Sequence, residues 1–266
     1  MSEHQCYEFL ALERPLTPKQ MDELRAVSSR AEITPARFWN EYHWGDLKAD
    51  PAKLVERYFD AQMYFANWGT HRLILRVPIE RVAPKSLHAY FVGDAARARV
   101  TGEYLILDLR SEDEERHFDE DGEASLAALA PVRTDLMRGD LRVAYLAWLL
   151  AVQAGELGDD QPEPPVPPGL SELTASQAAM AEFLRIDGDL ISAAAETSQE
   201  ASDDRPALRK WVVALAPRVK DAWLRRAVDE PDLARGGPRG RSNLTNALSG
   251  AKFTCNDDGL PPQQRE

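Results

Sequence analysis

The sequence predicts an α+β protein: a small mixed or antiparallel sheet with two helices in the N-terminal part, followed by a C-terminal α-helical domain. Three observations predict it. Helix starts at Thr17-Pro18 and Asp50-Pro51 alternate with short runs rich in aromatic and β-branched residues. Residues 58–78, YFDAQMYFANWGTHRLILRVP, read as a helix end and a hairpin around the reversal Asn67-Trp68-Gly69-Thr70. After residue 123 the strand-like alternation gives way to helical spacing.

The elements follow in order. Residues 6–12 are an aromatic and aliphatic strand. Thr17 is placed to cap a helix, Pro18 to fill its first position, where no N–H is needed, and Gln20 to close a capping box. Leu16 and Met21 stand at the staple positions, and Met21, Leu24 and Val27 carry the apolar stripe of a helix at 18–29. Residues 33–44, with Phe38, Trp39, Tyr42 and Trp44, read as one or two extended pieces ended by a turn at Gly45-Asp46. Asp50 and Pro51 open a second helix that buries Leu54, Val55, Tyr58 and Phe59. The hairpin strands are 63–66 and 71–77, with Leu73, Leu75 and Val77 on one face. Further strands are expected at 89–92, 97–100 and 103–109, the last two joined through Thr101-Gly102. Leu105, Leu107 and Leu109 then face the core, and Tyr104, Ile106 and Asp108 the other side.

Thr134 or Asp135 is expected to cap the next helix, which carries Met137, Leu141, Tyr145, Trp148 and Val152 and stops at Gly155. The proline-rich stretch 161–169 predicts a stiff, extended spacer. Short helices near 171–184, 188–197, 206–215 and 218–229 follow, with caps at Thr174 (with Gln177), Asp187 and Pro206. From 231 onward periodicity is lost, which predicts a disordered tail. The expected division is an α+β domain at 1–123, a helical domain at 124–230 with its spacer at 161–169, and the tail at 231–266.

Composition narrows the function classes. The 266 residues are 44% hydrophobic and 29% charged, ordinary values for a globular chain. The net charge is -12, and the segment 112–123, with eight acids and only Arg116 against them, holds -7 of it. The acidity is local. No broad basic surface is left for a phosphate backbone, so no nucleic-acid partner is expected. Two cysteines without a CxxC exclude a disulfide framework and a cysteine zinc site. The apolar run 143–152 falls short of the about 20 residues of a membrane helix. MSEHQCYEF lacks the regions of a signal peptide. A cytoplasmic protein is expected, with no membrane contact.

The segments YEFLALERPLT, RAEITPARFWNEYHWGDLK, YFDAQMYFANWGTHRLILRVP, LDLRSEDEE and EPPVPPGL together resemble a family of uncharacterised bacterial proteins of unknown function. The resemblance covers about residues 6–230. It implies a bacterial cytosolic protein and carries no activity, ligand or catalytic residue. Where that family ends in a short basic and apolar helix, this chain carries GGPRGRSNLTNALSGAKFTCNDDGLPPQQRE, so the tail enters no functional argument.

Catalytic motifs are sparse. Gly250-Ala251-Lys252 lacks the remaining residues of a phosphate-binding loop, GxSxG is absent, and the five histidines form no HExxH or HxH. A calcium loop around Gly122 would place His117 and Ala128 where carboxylates are required. No metal and no cofactor is expected. One constellation remains: His43, Trp44 and Asp46 before the second helix, Asp60 at its end, and Asn67, Trp68 and His71 at the hairpin. If the loops meet, they offer imidazole, carboxylate and indole groups for acid–base work or for a planar ligand. In the alternative reading the tryptophans are core and Asn67 and Gly69 only serve the turn. Without a complete catalytic set, the leading expectation is an interaction or accessory module that docks a protein partner through the helical half and the acidic loop. The alternative is an enzyme or small-ligand binder using the 43–46 and 67–71 loops.

Overall fold

Among the described residues seven strands pair antiparallel: β1 (Gln5–Leu10), β2 (Glu32–Ile33), β3 (Arg37–Tyr42), β4 (Ala61–Ala66), β5 (Thr70–Pro78), β6 (Ala96–Thr101) and β7 (Tyr104–Glu112). Their order across the sheet is β2-β3-β1-β4-β5-β7-β6. The structure is a computed structural model that describes residues 4–113, 125–158 and 160–200, with a few isolated residues between 213 and 221. Residues 1–201 make one unit and 202–266 another. The helices expected at 206–215 and 218–229 lie almost wholly outside the described residues. So do the tail from 231 and most of the acidic run, 114–123.

Alternation along the strands makes two cores. Leu73, Leu75 and Val77 of β5 and Leu105, Leu107 and Leu109 of β7 point to one side, while Ile74 and Ile106 point to the other. The second side is covered by α1 (Pro18–Val27) and α2 (Pro51–Arg57), through Leu24, Leu54, Val55 and the neighbouring Phe59. Gln62, opposite Phe9 and Ile74 on this side, is fully buried with neither amide atom hydrogen-bonded among the described residues. The first side is covered by α3 (Pro84–Leu87), α4 (Leu126–Leu129), α5 (Pro131–Met137), α6 (Arg142–Gln153), α7 (Ala175–Phe183) and α8 (Gly188–Thr197). Sheet and helices from both sides of position 123 share that core. An antiparallel sheet packed on both faces reads as α+β, with the helices forming outer layers.

The helix starts follow the local chemistry. Thr17 accepts from the Gln20 amide at 3.3 Å, and the Gln20 side chain accepts from the Thr17 amide at 2.8 Å, a complete capping box. Thr17→Ala is expected to lower stability by about 0.5–2 kcal/mol in a denaturant titration. An unshifted midpoint would contradict this. Asp50 caps α2 by accepting from the Ala52 amide at 2.9 Å, and Thr174 and Gln177 repeat the capping box at α7.

Two expectations are corrected. Residues 89–92 are not a strand. Pro84 opens one helical turn, and Leu87 and Tyr90, three apart, both turn into the core. The long helix through Met137 and Val152 is two helices, because Gly139 takes a positive φ of 84° and Asp140 accepts from the Arg142 amide to start α6. The proline-rich stretch is extended but packed: Tyr90 donates to the Pro165 carbonyl at 2.7 Å, and Ser198 to that of Pro167 at 2.8 Å.

Candidate functional site

Antiparallel pairing gathers four chain ends at one end of the sheet. Gln5 at the start of β1 lies opposite both Tyr42, the last residue of β3, and Ala66, the last of β4. The loop 43–46 and the hairpin reversal therefore flank the residue before β1. That residue is His4.

His4 ties the two loops together. The Asn67 amide donates to the His4 carbonyl at 2.9 Å, and the His4 amide donates to Asn67 Oδ1 at 3.0 Å. On the other side the His4 ring stacks on His43, with centroids 5.4 Å apart and planes inclined by 27°. Glu41 sits between the imidazoles, its Oε1 2.7 Å from His4 Nε2 and 3.2 Å from His43 Nε2. The result is a carboxylate shared by two partly exposed imidazoles, an arrangement whose geometry suits proton transfer between them.

The indoles are outside the core. Trp44 is 74% exposed and Trp68 42%, which removes the reading of both as packing residues. Trp68 occupies a three-residue reversal closed by Gly69 at φ 104°, and Trp44 precedes Gly45 at φ 83°. Asp46 anchors its loop by accepting from the Tyr7 hydroxyl and from the Leu47 amide, both at 2.7 Å. Burial and this carboxylate push the Tyr7 hydroxyl's proton affinity up.

His71 stands at the same end but points into the core, against Phe65 and Phe183. Its Nδ1 lies 2.5 Å from the Phe183 carbonyl and donates to it. Desolvation is the main cause that lowers its pKa from 6.5 to about 4, the Phe183 carbonyl opposing and Arg185 adding to the shift.

Asp60 is not part of this group. It lies opposite Arg76 at the other end of the hairpin, 1% exposed, and accepts from the Leu12 and Glu13 amides at 2.7 and 2.9 Å. Arg76 Nη2 bonds its Oδ1 at 2.9 Å, and Arg133 of α5 stands 3.8 Å away. The carboxylate is a structural latch between the sheet and the loop after β1. Arg76 supplies the countercharge to Asp60 and also donates to the Glu56 carbonyl at the C-terminal end of α2 at 3.0 Å, so one guanidinium offsets both the carboxylate and the helix end.

Two cavities border the sheet end. One, of about 500 Å³, lies between the end of α1 and the loop after β3, lined by His43, Trp44 and Asp46 with Ser28, Asn40 and Lys48. The other, of about 420 Å³, is lined by His4, Cys6, Trp39, Glu41 and Phe65. Burial pushes the Cys6 thiol up to about 12, so it is protonated at neutral pH and unsuited to nucleophilic attack. Among the described residues no three His, Cys, Asp or Glu side chains converge to hold a metal ion.

The structure thus brings together His43, Trp44, Asp46, Asn67 and Trp68, sets His71 beneath them, and removes Asp60. Sequence reasoning passes over His4 and Glu41. Their role depends on β1 lying between β3 and β4, a strand order that no local pattern announces. No helix among the described residues is long and apolar enough to cross a membrane. No family model matches the chain, and no curated protein or solved structure is significantly similar to it.

Proposed function

We propose that the protein is a bacterial cytosolic interaction module that docks a protein partner at the sheet end formed by the 43–46 loop and the hairpin reversal. One observation carries this reading. Trp44 and Trp68 are both exposed on loops that His4 fastens to each other. Exposed tryptophans on a braced surface are the side chains that dominate binding energy at protein interfaces, and isolated solvent exposure of two such rings has no folding benefit. The histidine pair and Glu41 add a polar rim of the kind that surrounds such anchors.

The test is capture of binding partners by the full chain and by the Trp44→Ala/Trp68→Ala variant. A protein retained by the first and lost by the second is expected, with melting temperatures that agree within a degree or so, since exposed substitutions change stability by only about 0.5 kcal/mol. Equal capture by both would reject this surface. A second reading, a small-ligand site, is favoured by the cavity of about 500 Å³ beside Trp44, whose size suits a small molecule. A co-purifying ligand in native mass spectrometry, lost in Trp44→Ala alone, would favour it over the docking surface.

A further inference from the structure

The cavity of about 500 Å³ between the end of α1 and the loop after β3 has a polar floor with unused hydrogen-bonding capacity. Ser28 and Asn40 line it and are only 8% and 5% exposed. Ser28 Oγ accepts from Asn40 Nδ2 at 3.0 Å and from the Tyr42 hydroxyl at 3.4 Å, while no described residue accepts the Ser28 hydroxyl proton. Asn40 Oδ1 likewise receives no hydrogen bond among the described residues. A donor and an acceptor therefore stand side by side at the base of the cavity, and their burial is costly unless water or a ligand completes them. The rim adds two other chemistries. Trp44 lines the cavity with an indole that is 74% exposed. Arg30 and Lys48 line it too, and neither has an ion-pair partner among the described residues. The two carboxylates of the lining are already engaged, Asp46 by the Tyr7 hydroxyl and the Leu47 amide, Glu41 by the two imidazoles. Unmatched charge at the cavity is thus positive. Arg25 Nη1 donates to the Ser29 and Ala31 carbonyls at 3.1 and 2.5 Å, which fixes the loop that carries Arg30 and offsets the negative end of α1.

We propose that this cavity binds a nucleoside monophosphate, its base against Trp44 with the polar edge on Ser28 and Asn40, and its phosphate on Arg30 and Lys48. The proposal rests on the small-ligand reading of the cavity and is independent of the docking surface. Three chemistries meet here, and this ligand class uses all of them. An indole offers a stacking face for any base. A hydroxyl donor beside an amide acceptor matches the neighbouring donor and acceptor that every common base carries on its pairing edge. Two free cations, one of them a guanidinium, match the charge of a phosphate. The volume suits one such molecule. A single nucleotide needs no broad basic surface, unlike the backbone of a nucleic acid, so the overall acidity of the chain does not oppose it.

The experiment is isothermal titration calorimetry of the full chain with AMP, GMP, CMP and UMP, each alone. At least one is expected to bind one to one, with its nucleoside and ribose 5-phosphate each at least tenfold weaker. Arg30→Glu combined with Lys48→Glu should weaken the nucleotide at least tenfold. Both side chains are exposed and without ion-pair partners, so this variant should melt as the parent does. Ser28→Ala should weaken the nucleotide severalfold by removing the donor at the floor. Absence of binding by all four nucleotides overturns the proposal, as does a nucleoside that binds as tightly as its monophosphate. A nucleotide indifferent to the double charge reversal also overturns it. If all four fail while a co-purifying ligand is still lost in Trp44→Ala, the ligand class is wrong and the small-ligand site stands. If no such ligand is found either, both readings of the cavity fall.

Discussion

Acidification from pH 7 to pH 4 is expected to remove on the order of 3 kcal/mol of folding stability through His71 alone. The ring is 3% exposed, and its folded pKa lies at about 4 against 6.5 for the free side chain. Between those values the unfolded chain takes up a proton that the folded protein refuses. The contribution is complete above pH 6.5, falls as the pH drops through the window, and levels off below 4. Denaturant titrations of the protein and of His71→Gln across that window measure it. The variant should start less stable, because the Phe183 carbonyl and the neighbouring rings lose their fitted partner, and the two curves should converge toward pH 4. Parallel curves would mean that His71 protonates without leaving its site.

Replacement of Asp60 has the larger effect at neutral pH. Asp60→Ala is expected to lower stability by about 3–5 kcal/mol, because it strands a buried arginine rather than removing a balanced pair. Arg76 and Arg133 are both nearly enclosed, and the Leu12 and Glu13 amides lose their acceptor at the same time. Arg76→Met combined with Asp60→Leu should recover part of the loss, since apolar replacement of both partners removes the uncompensated charge. Thermal unfolding of the single and double variants reads this directly. A neutral Asp60→Ala would place the carboxylate in a functional role after all.

The hairpin shows how far sequence reasoning reaches. With the reversal centred on Trp68, Asp60 falls opposite Arg76 and His71 opposite Phe65. Counting outward from the turn is therefore enough to separate Asp60 from the histidine with which its sequence neighbourhood groups it. The helix starts at Thr17 with Gln20 and Asp50 with Pro51 were equally legible, as local devices whose partners lie within three residues, whereas Thr134 and Asp135, expected as a cap, lie inside α5. The break at Gly139 was hidden by the continuous apolar spacing on either side of it. Trp44 and Trp68 mislead for a general reason: composition says that indoles are usually packed, and only the turn geometry says that these two are not. The bridging role of His4 rests on contacts 63 residues apart in the chain, beyond any local pattern.

The placement of β1 in the interior of the sheet bears on how the chain reaches its native state. β1 is made while both of its neighbours, β3 and β4, are still to be synthesised, and β4 ends only at Ala66. The β4–β5 and β6–β7 hairpins close over short loops and can form early, whereas β1 must be inserted between strands that reach it from about thirty and fifty residues downstream. Until then it is an apolar segment with two bare margins, the form in which nascent chains associate wrongly. The slow step of folding is thus expected to be capture of the amino-terminal strand, and its capture also completes the His4 junction. The same event closes the sheet and brings the 43–46 loop and the hairpin reversal together.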